Sequence, residues 1–341
     1  MEVPRKRRGT GRVTLADVAK SAGVGTMTVS RALRMPDQVS DKLRDKIQQV
    51  VEELGYIPNQ AAGALASGKS NSIAVILPSL IDKMCSQFIP PFQKILNKEG
   101  HQLILGYSNY SILQEEQLLS TLLASNPSAV VFFGSERSAQ STKMIKNAQV
   151  IILEVAEINN LSLDLNIGTD HYKASKEMTH YLIKKGYQNI AFVGFQSEQN
   201  ILHKQLRGWQ SAMLENYLSP DHFLIANDIP NIKLGSEGLA KLLLRQSDLD
   251  AVICTNEEIA IGVLFECQRR VLKIPQDIAI TCLDGSILSQ QCVPTLTSIE
   301  FDYANMGKKA AHQLLERLSG NEQNDIKQID LGFKLCERAS S

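Results

Sequence analysis

Two short helical patterns joined by a turn make up the stretch TLADVAKSAGVGTMTVSRALR, residues 14–34. Thr14 can cap the first helix, with Asp17 three residues later as its partner in a capping box. Gly23 ends this helix, and we expect the second from about Thr26 to Arg34. Two helices separated by a glycine-containing turn of about four residues are typical of a helix-turn-helix.

A third helix is predicted directly after this pair. Ser40 can cap it, apolar residues recur at helical spacing as far as Leu54, and Gly55 ends it. Any small three-helix bundle would show a similar pattern, so the spacing alone leaves that alternative open. The sequence therefore predicts a small helical domain over residues 1–57, with a helix-turn-helix as the first interpretation.

The second predicted helix carries a polar outward surface. Val29 and Leu33 can face the core, which leaves two hydroxyl groups, a thioether and a guanidinium outward: Thr26, Ser30, Met27 and Arg31. In the major groove of DNA, arginine can bind guanine and apolar atoms can contact the thymine methyl group. Candidates for phosphate contacts, which fix position without selecting a sequence, are Thr14, Thr28, Lys42 and Arg44.

The formal net charge of the 341 residues is zero, but the charge is unevenly distributed. Residues 1–70 contain twelve Lys or Arg and seven Asp or Glu, a net charge of +5, so the remainder carries −5. A basic head on an acidic body is expected when a small domain binds DNA phosphates and a larger domain does not.

The six cysteines are scattered, without a CxxC pair or the Cys/His spacing of a metal site. We therefore expect reduced cysteines, no metal and no cofactor. The basic run at residues 5–8 precedes no apolar stretch, so it does not resemble a signal peptide. No run approaches the roughly 20 apolar residues of a membrane span. These features predict a cytoplasmic protein with no membrane partner.

Residues 70–341 alternate apolar strands with helical patterns, which predicts parallel sheets flanked by helices. The predicted strands are Ser72–Leu77, Gln102–Gly106, Ala129–Phe133, Val150–Leu153, Ile190–Gly194, Ala251–Cys254 and Ile278–Leu283. The predicted helices include Gln114–Ala124, Lys173–Lys185, Leu202–Glu215 and Glu257–Arg270. Ligands of such sheets bind beyond the carboxyl ends of the strands.

Polar residues follow several of these predicted strands. Those at the carboxyl ends that could contact a ligand are Ser79, Tyr107, Arg137, Glu154, Asn256 and Asp284. Each is compatible with an ordinary solvated loop, and Asn256 could instead cap the helix that starts at Glu257. Their joint position favours a binding site for a small molecule.

Three pieces of sequence, in this order and spacing, carry a resemblance to a known family. They are DVA…AGV…TVSRAL within residues 17–33, LGYIPN at 54–59 and TNEEIAIG at 255–262. Together they resemble the lactose-repressor (LacI) family of transcriptional regulators across nearly the whole chain. The resemblance implies an all-α helix-turn-helix head and an α/β domain of two lobes with parallel sheets, like periplasmic sugar-binding proteins. It also implies crossovers between the lobes near Thr169, Ser298 and Gly320.

Residues 58–69 form a linker between the predicted domains. Asn59 can cap a short helix of small residues that is too short to be stable alone. By the family resemblance this is a hinge that orders when a dimer binds its operator. Leu65 then matches the side chain that inserts between base pairs in the minor groove and bends the DNA. The alternative is that Leu65 packs on the large domain.

The resemblance also implies effector-binding positions. Asn256 and Asp284 align with family residues that bind sugar hydroxyl groups. The family often has an arginine three residues before a Gly-aromatic pair. In this sequence the pair is Gly208-Trp209, and the position of the arginine is occupied by Gln205. This departure puts the usual arginine contact in doubt and leaves as substitutes His203, Lys204 and Arg207. We expect Trp209 in the core rather than against a ligand.

Within the family, the sequence is most similar to the gluconate-operon repressors, through ILPSL at 76–80, SERS at 135–138 and CTNEEIAIGVLFECQRR at 254–270. The implied effector is a sugar acid whose carboxylate is bound by Arg137 or Lys204 through charge-assisted hydrogen bonds. A neutral sugar is the alternative, with both cations as ordinary surface charges.

An enzyme is the main competing class, because α/β folds host many activities. The sequence has no P-loop, no GxSxG motif and no metal-ligand cluster, and its six histidines are dispersed. The head argues against an extracytoplasmic binding protein, and a regulator with a protein partner stays open. The sequence thus predicts a non-enzymatic repressor, a homodimer that binds a pseudo-palindromic double-stranded DNA operator under the control of a small effector.

Overall fold

A computed structural model of the chain describes residues 13–57, 70–196, 200–227, 230–320 and 328–341. These residues belong to two compact units, Met1–Ser70 and Asn71–Ser341. The linker predicted at 58–69, with Asn59 and Leu65, lies outside the described residues.

The first unit contains three α-helices, α1 (Leu15–Ala22), α2 (Thr26–Arg34) and α3 (Asp41–Leu54), with a 3-10 turn at Pro36–Gln38. The observed bounds of α2 are those that the sequence predicts. The small shared core of the three helices is formed by Val18, Ala19, Ala22, Val29, Ala32, Ile47, Val50 and Val51.

Local hydrogen bonds and one glycine define the ends of α1. Thr14 Oγ1 accepts a hydrogen bond from the Asp17 backbone N–H, and Asp17 Oδ2 accepts one from the Thr14 N–H at 2.8 Å, so the predicted capping box is present. Gly23 ends the helix with a φ of +70°, which glycine adopts without the steric penalty of a side chain. The turn to α2 is therefore only three residues long, 23–25.

The second unit alternates strands and helices, as predicted. Its strands are β1 (Ser72–Leu77), β2 (Gln102–Tyr107), β3 (Ala129–Phe133), β4 (Ile151–Glu157), β5 (Leu165–Thr169), β6 (Ile190–Phe195), β7 (Phe223–Ala226), β8 (Ala251–Cys254), β9 (Ala279–Cys282), β10 (Thr297–Glu300), β11 (Gln328–Asp330) and β12 (Lys334–Cys336). Its helices are α4 (Lys83–Lys98), α5 (Ile112–Leu123), α6 (Ala139–Ala148), α7 (His171–Lys184), α8 (Ile201–Glu215), α9 (Ile232–Arg245), α10 (Glu257–Arg269), α11 (Ile287–Gln291) and α12 (Tyr303–Leu318).

Two six-stranded sheets divide this unit into two lobes. Lobe 1 contains the sheet ordered β11-β5-β4-β3-β1-β2, and lobe 2 contains the sheet ordered β12-β10-β9-β8-β6-β7. Neighbouring strands run parallel, apart from the antiparallel pair β10 and β12. One hydrophobic cluster extends from Val131 and Leu153 in lobe 1 to Phe192 and Ile253 in lobe 2. The predicted fold class, a helical head with a two-lobed α/β domain, is confirmed.

Within the described residues the chain passes between the lobes at three places. β5 leads into α7, which packs on α8 of lobe 2, and β10 leads into α12, which packs on α4 of lobe 1. These two crossovers lie near Thr169 and Ser298, as expected. The expectation of a third near Gly320 is wrong, because β11 still pairs with β5 in lobe 1 while β12 pairs with β10 in lobe 2. The chain therefore crosses between Asp330 and Lys334.

Strand β4 is longer than the sequence predicts. The prediction ends it at Leu153, but it continues to Glu157 because Val155 and Ala156 are also buried. Glu154, which the sequence places at a strand end, therefore lies in the middle of the strand. This difference changes which acidic side chain reaches the other lobe.

Other sequence expectations concern cysteines, membranes and metals. The six cysteines are free, and four of them are buried. Among the described residues, no helix is both long and apolar enough to cross a membrane. The same residues contain no group of three or more His, Cys, Asp or Glu side chains that could hold a metal ion.

Candidate functional site

The outward face of α2 is available for contacts. The Met27 side chain is 75% exposed, Thr26 and Arg31 are exposed, and Ser30 is partly buried. On the opposite face Val29 is fully buried in the core of the first unit. The four side chains predicted to contact bases thus share a surface on which hydroxyl, thioether and guanidinium groups can meet base edges.

The residues predicted to contact phosphates lie near the N-termini of the three helices. Thr14 caps α1, and Thr28 lies in the first turn of α2. Lys42 is exposed at the start of α3, whereas the Arg44 guanidinium lies 2.9 Å from the Asp41 carboxylate. Helix N-termini attract phosphate because their backbone N–H groups lack partners within the helix.

In the second unit, a lysine of lobe 1 contacts lobe 2. Lys83 begins α4, and its ammonium group forms an ion pair with the carboxylate of Asp284, which follows β9. The same ammonium donates a 2.8 Å hydrogen bond to the carbonyl oxygen of Gly285. Tyr303, the first residue of α12, donates its hydroxyl to Asp284 at 3.1 Å. Asp284 is therefore held by two side chains of lobe 1.

A lysine of lobe 2 makes a similar contact in the opposite direction. Lys204 on α8 places its Nζ 2.6 Å from Oε2 of Glu157, at the end of β4 in lobe 1. It also donates a 2.7 Å hydrogen bond to the Ile158 carbonyl oxygen. The other oxygen of Glu157 accepts hydrogen bonds from the backbone N–H and the hydroxyl of Ser135, which follows β3. This pair joins α8 to the ends of two strands of the other lobe.

An aromatic contact also connects the lobes. Tyr110, after β2, packs edge-on against Phe195 at the end of β6, with ring centres 5.7 Å apart. Its hydroxyl donates a 2.8 Å hydrogen bond to Asp82, which caps α4. Asn109 and Tyr110 have φ values of +52° and +60°, and backbone strain of this kind clusters at functional sites. We name the residues of these contacts the interlobe site: Asp82, Lys83, Tyr110, Ser135, Glu157, Phe195, Lys204, Asp284 and Tyr303.

The surroundings of Asp284 change its acidity. Burial raises the pKa of Asp284 to about 6, because the loss of water outweighs the favourable charge of Lys83. Burial and then the charge of Asp284 raise the pKa of Tyr303. Glu258, at the start of α10, has a raised pKa because of burial and the charge of Asp82. Asp284 is therefore a carboxylate that gains a proton just below neutral pH.

Arg137 and Glu154 pair with each other inside lobe 1. Their side chains form an ion pair and are 6% and 1% exposed. The guanidinium lies 4.5 Å from the ring centre of Phe132, on the sheet face that α5 and α6 cover. Glu115 of α5 lies near Arg137, and burial raises its pKa to about 7. Glu154 is thus paired inside lobe 1, and the glutamate of β4 that contacts lobe 2 is Glu157.

Four further predicted effector residues, Ser79, Tyr107, Gln205 and Asn256, make none of the contacts that define the interlobe site. Asn256 Oδ1 accepts a 3.0 Å hydrogen bond from the Ile259 N–H and so caps α10. Ser79 Oγ accepts a 3.3 Å hydrogen bond from a backbone N–H two residues later. Tyr107 is 53% exposed on the edge strand β2, and Gln205 is buried in α8. Of the predicted set, the structure brings Lys204 and Asp284 into the interlobe site.

Of the other seven residues of the interlobe site, sequence reasoning noted Ser135 as a polar residue at a strand end and missed the remaining six. Asp82 caps and Lys83 begins a helix that contains two prolines, and Tyr110 lies in a loop of ordinary composition. A signal that could have indicated two of them is the charged pair Asp82-Lys83, directly after Leu80 and Ile81. Trp209 is fully buried, with its ring 5.6 Å from that of Phe192, which confirms the predicted core position.

Two family profiles match the chain. The profile described as bacterial regulatory proteins, lacI family, matches residues 14–59, which include α1, α2 and α3. The profile described as periplasmic binding protein-like domain matches residues 179–341, which include most of lobe 2.

Relatives match between about four fifths and nearly all of the chain. The HTH-type transcriptional regulator GntR of Escherichia coli (strain K12) is 34% identical over 329 residues, 96% of this chain and 98% of the relative. The crystal structure of a PurR family transcriptional regulator from Vibrio parahaemolyticus is 52% identical, covers 79% of this chain and 98% of its own, and has a TM-score of 0.74. A LacI family regulator from Silicibacter pomeroyi is 29% identical, covers 96% and 99%, and has a TM-score of 0.90. These similar proteins are transcriptional regulators, not enzymes.

Proposed function

Because this chain belongs to the LacI family of bacterial regulatory proteins, a DNA-binding transcriptional regulator and not an enzyme, we propose that α2 binds its operator in the major groove. The side chains proposed to contact base edges are Thr26, Met27, Ser30 and Arg31. Those proposed to contact phosphates are Thr14 and Thr28. Their position on or beside a helix whose other face is buried supports this assignment.

The proposed domain organisation follows from the sequence. Residues 1–57 form the DNA-binding domain, 58–69 the hinge, and 70–341 the effector-binding and dimerisation domain. We propose that Asn59 and Leu65 of the hinge contact the operator, with Leu65 inserted between base pairs in the minor groove. The net charge of +5 on residues 1–70, against −5 on the remainder, supports DNA binding by the head.

A pseudo-palindromic operator requires two copies of the chain. In the proposed homodimer, two-fold symmetry places one α2 helix in each of two successive major grooves. Large apolar side chains are exposed on the edge strand β2, namely Ile104, Leu105 and Tyr107. An uncovered apolar edge strand promotes association, so this strand supports dimerisation through lobe 1.

For the second unit we propose a small effector at the interlobe site, with a sugar acid as its class. The observation that carries this proposal is that Lys83 and Lys204 reach across the interlobe site from opposite lobes. Ammonium groups bind carboxylates through charge-assisted hydrogen bonds, and carboxylates such as Asp284 suit sugar hydroxyl groups. The similarity to gluconate-operon repressors favours the same class.

A neutral sugar is the second candidate, and one observation favours it. The three cations considered as anchors, Lys83, Arg137 and Lys204, each have a carboxylate partner already. An anionic effector has to replace one of these partners, whereas a neutral sugar does not.

In the proposed mechanism, the effector changes the arrangement of the lobes. A ligand that binds one arrangement more tightly than the other shifts the population between them. The hinge of each protomer transmits this shift to the spacing of the two heads on DNA. The free energy of DNA binding changes by no more than the difference in the effector's binding free energy between the two arrangements, and a coupling of about 1–3 kcal/mol is typical.

Fluorescence anisotropy with the full-length protein tests this function. An operator is selected from a randomised palindromic library, labelled, and titrated with protein at two salt concentrations. The complex is then titrated with gluconate, idonate and sorbitol, an uncharged polyol. A salt-sensitive complex that responds to the acids alone supports the proposal. A response to sorbitol alone supports the neutral effector, and binding that ignores the palindrome contradicts the role of α2.

A further inference from the structure

We propose that Lys83 recognises the negative charge of the effector, by exchanging the carboxylate of Asp284 for the carboxylate of the ligand. This inference rests on the proposed sugar-acid effector and adds which cation binds it. The resemblance to the gluconate-operon repressors implies that role for Arg137 or Lys204. The three ion pairs differ in how readily each can release its cation to a ligand.

The pair of Arg137 and Glu154 is the least available. Both side chains are under a tenth exposed, and they lie between the sheet of lobe 1 and its covering helices. If a ligand took the guanidinium, Glu154 and the nearby Glu115 would remain as buried acidic groups without a cation. Removing one partner of a buried pair is strongly unfavourable, so this pair serves the structure of lobe 1.

In the pair of Lys204 and Glu157, a ligand can reach the lysine but not the glutamate. Lys204 is 23% exposed, but Glu157 is 1% exposed. If the ammonium moved to a ligand, Glu157 would keep the two hydrogen bonds from Ser135 and would lose its counter-ion in a buried position. Lys204 would also lose the Ile158 carbonyl, just as Lys83 would lose that of Gly285, so this loss does not distinguish the two lysines. Exchange at this pair therefore carries a large desolvation penalty.

The pair of Lys83 and Asp284 differs from the other two pairs in the exposure of its carboxylate and in what compensates that carboxylate when the cation leaves. The two side chains are 21% and 20% exposed, so a ligand can approach either partner. When Lys83 turns to a ligand, Asp284 keeps the Tyr303 hydroxyl as a donor, and it can also lose its charge by taking up a proton. When Lys83 moves to a ligand, the Asp284 carboxylate therefore either keeps a hydrogen-bond donor or becomes neutral.

The adjacent acid, Asp82, does not compete for Lys83. Asp82 Oδ1 accepts a 2.8 Å hydrogen bond from the Met84 N–H, and Oδ2 accepts one of 2.8 Å from the Tyr110 hydroxyl. Both oxygens thus have partners within lobe 1, and the Lys83 ammonium is left to face lobe 2. Lys83 is also the first residue of the sixteen-residue helix α4, and the helix dipole favours an anion near this end.

Isothermal titration calorimetry on the full-length protein tests this inference with two probes. Gluconate and sorbitol have the same carbon chain and differ at the carboxylate. We expect Lys83→Met to weaken gluconate binding by about tenfold or more, because a charge-assisted hydrogen bond is lost, and to change sorbitol binding by less than about threefold. Lys83→Arg, which keeps the charge, should retain most of the gluconate affinity. Lys98→Met, at the exposed far end of α4, is the matched control.

The possible outcomes separate this inference from the proposed function. If the wild type binds gluconate and Lys83→Met binds it equally well, Lys83 is not the anchor, although the sugar-acid effector stands. If Lys83→Met weakens gluconate and sorbitol alike, its role is structural and the inference is overturned. If the wild type binds no sugar acid, the effector class fails, and this inference fails with it. Lys83→Gln is the second uncharged variant if the methionine variant does not fold.

Discussion

The ammonium group of Lys204 lies 2.6 Å from the carboxylate of Glu157, which joins lobe 2 to a glutamate that is almost fully buried in lobe 1. Two further hydrogen bonds from Ser135 fix the position of the same carboxylate. The ion pair is therefore part of the connection between the lobes as well as a neighbour of the proposed effector.

We expect Lys204→Met to lower the free energy of unfolding by about 1–3 kcal/mol, because a buried carboxylate loses a partner. Glu157→Gln in the same background should recover part of the loss, since an amide needs no counter-ion. Urea unfolding measures both changes, and Lys241→Met on the exposed surface of α9 is the control. Equal stability of Lys204→Met and the wild type would show that the pair contributes nothing measurable.

Replacing Arg31 with alanine tests the recognition helix. We expect a loss of about 1–3 kcal/mol in operator binding and relaxed selectivity at one base pair, because a bidentate contact to guanine is removed. Anisotropy with operators substituted at each position measures both effects. Circular dichroism checks that the exposed substitution leaves the head folded. Wild-type affinity and selectivity in this variant would mean that α2 is wrongly placed.

Effector binding should depend on pH if Lys83 exchanges Asp284 for a ligand carboxylate. Asp284, with a pKa of about 6, faces Lys83 and Asp82 from α4 and Tyr303 from α12, and a second carboxylate beside it would raise this pKa further. Gluconate binding then takes up a proton above pH 6. We expect its affinity to rise as the pH falls from 8 to 6, by at most about tenfold per pH unit.

Two controls accompany this pH dependence. Sorbitol carries no charge, so its affinity should change little over the same range. Asp284→Asn cannot take up the proton, and its gluconate affinity should lose the slope. Calorimetry at pH 6, 7 and 8 measures all three cases. A slope that persists unchanged in Asp284→Asn would assign the proton to another group.

Glu115 should make lobe 1 more stable in mild acid. Burial raises its pKa to about 7 from an ordinary value of 4.5, so the folded protein holds a proton that the unfolded chain releases between these values. The destabilisation of the folded protein by the buried Glu115 charge is complete above pH 7 and disappears as the pH falls below 4.5. We expect Glu115→Gln to raise the free energy of unfolding by about 2–3 kcal/mol at pH 8.

Most of that gain should be absent at pH 5, where the wild-type carboxyl is already protonated in the folded state. Urea unfolding at the two pH values measures the difference, with Glu99→Gln at an exposed position as the control. An equal gain at both pH values would mean that the substitution acts through packing and not through charge.

The head could be predicted from sequence closely. α2 begins and ends at the predicted residues, and the capping box of Thr14 and Asp17 is present, because caps and helical spacing are local properties. α4 could not be predicted in the same way, since Pro90 and Pro91 argue against a helix. Its helical path follows from the burial of Phe88, Phe92 and Leu96 against the rest of lobe 1.

The candidate site was predicted only in part. Lys204 and Asp284 lie in the interlobe site, whereas Arg137 pairs with Glu154 inside lobe 1. A strand that ends four residues later than predicted is enough to replace Glu154 by Glu157 at the other lobe. Alternation along a strand decides which face each side chain occupies, so errors in strand ends become errors in site residues.

The sequence by itself determined the class of the protein: the helix-turn-helix head, the alternating strands and helices, and the family motifs, because these depend on residues close together in the chain. Only the tertiary structure decided which acid each cation contacts. Lys83 and Asp284 are 201 positions apart, and they meet because two separate sheets bring the ends of different strands and helices together. Neither the periodicity nor the composition of the sequence predicts this contact, because it depends on how the two lobes pack against each other.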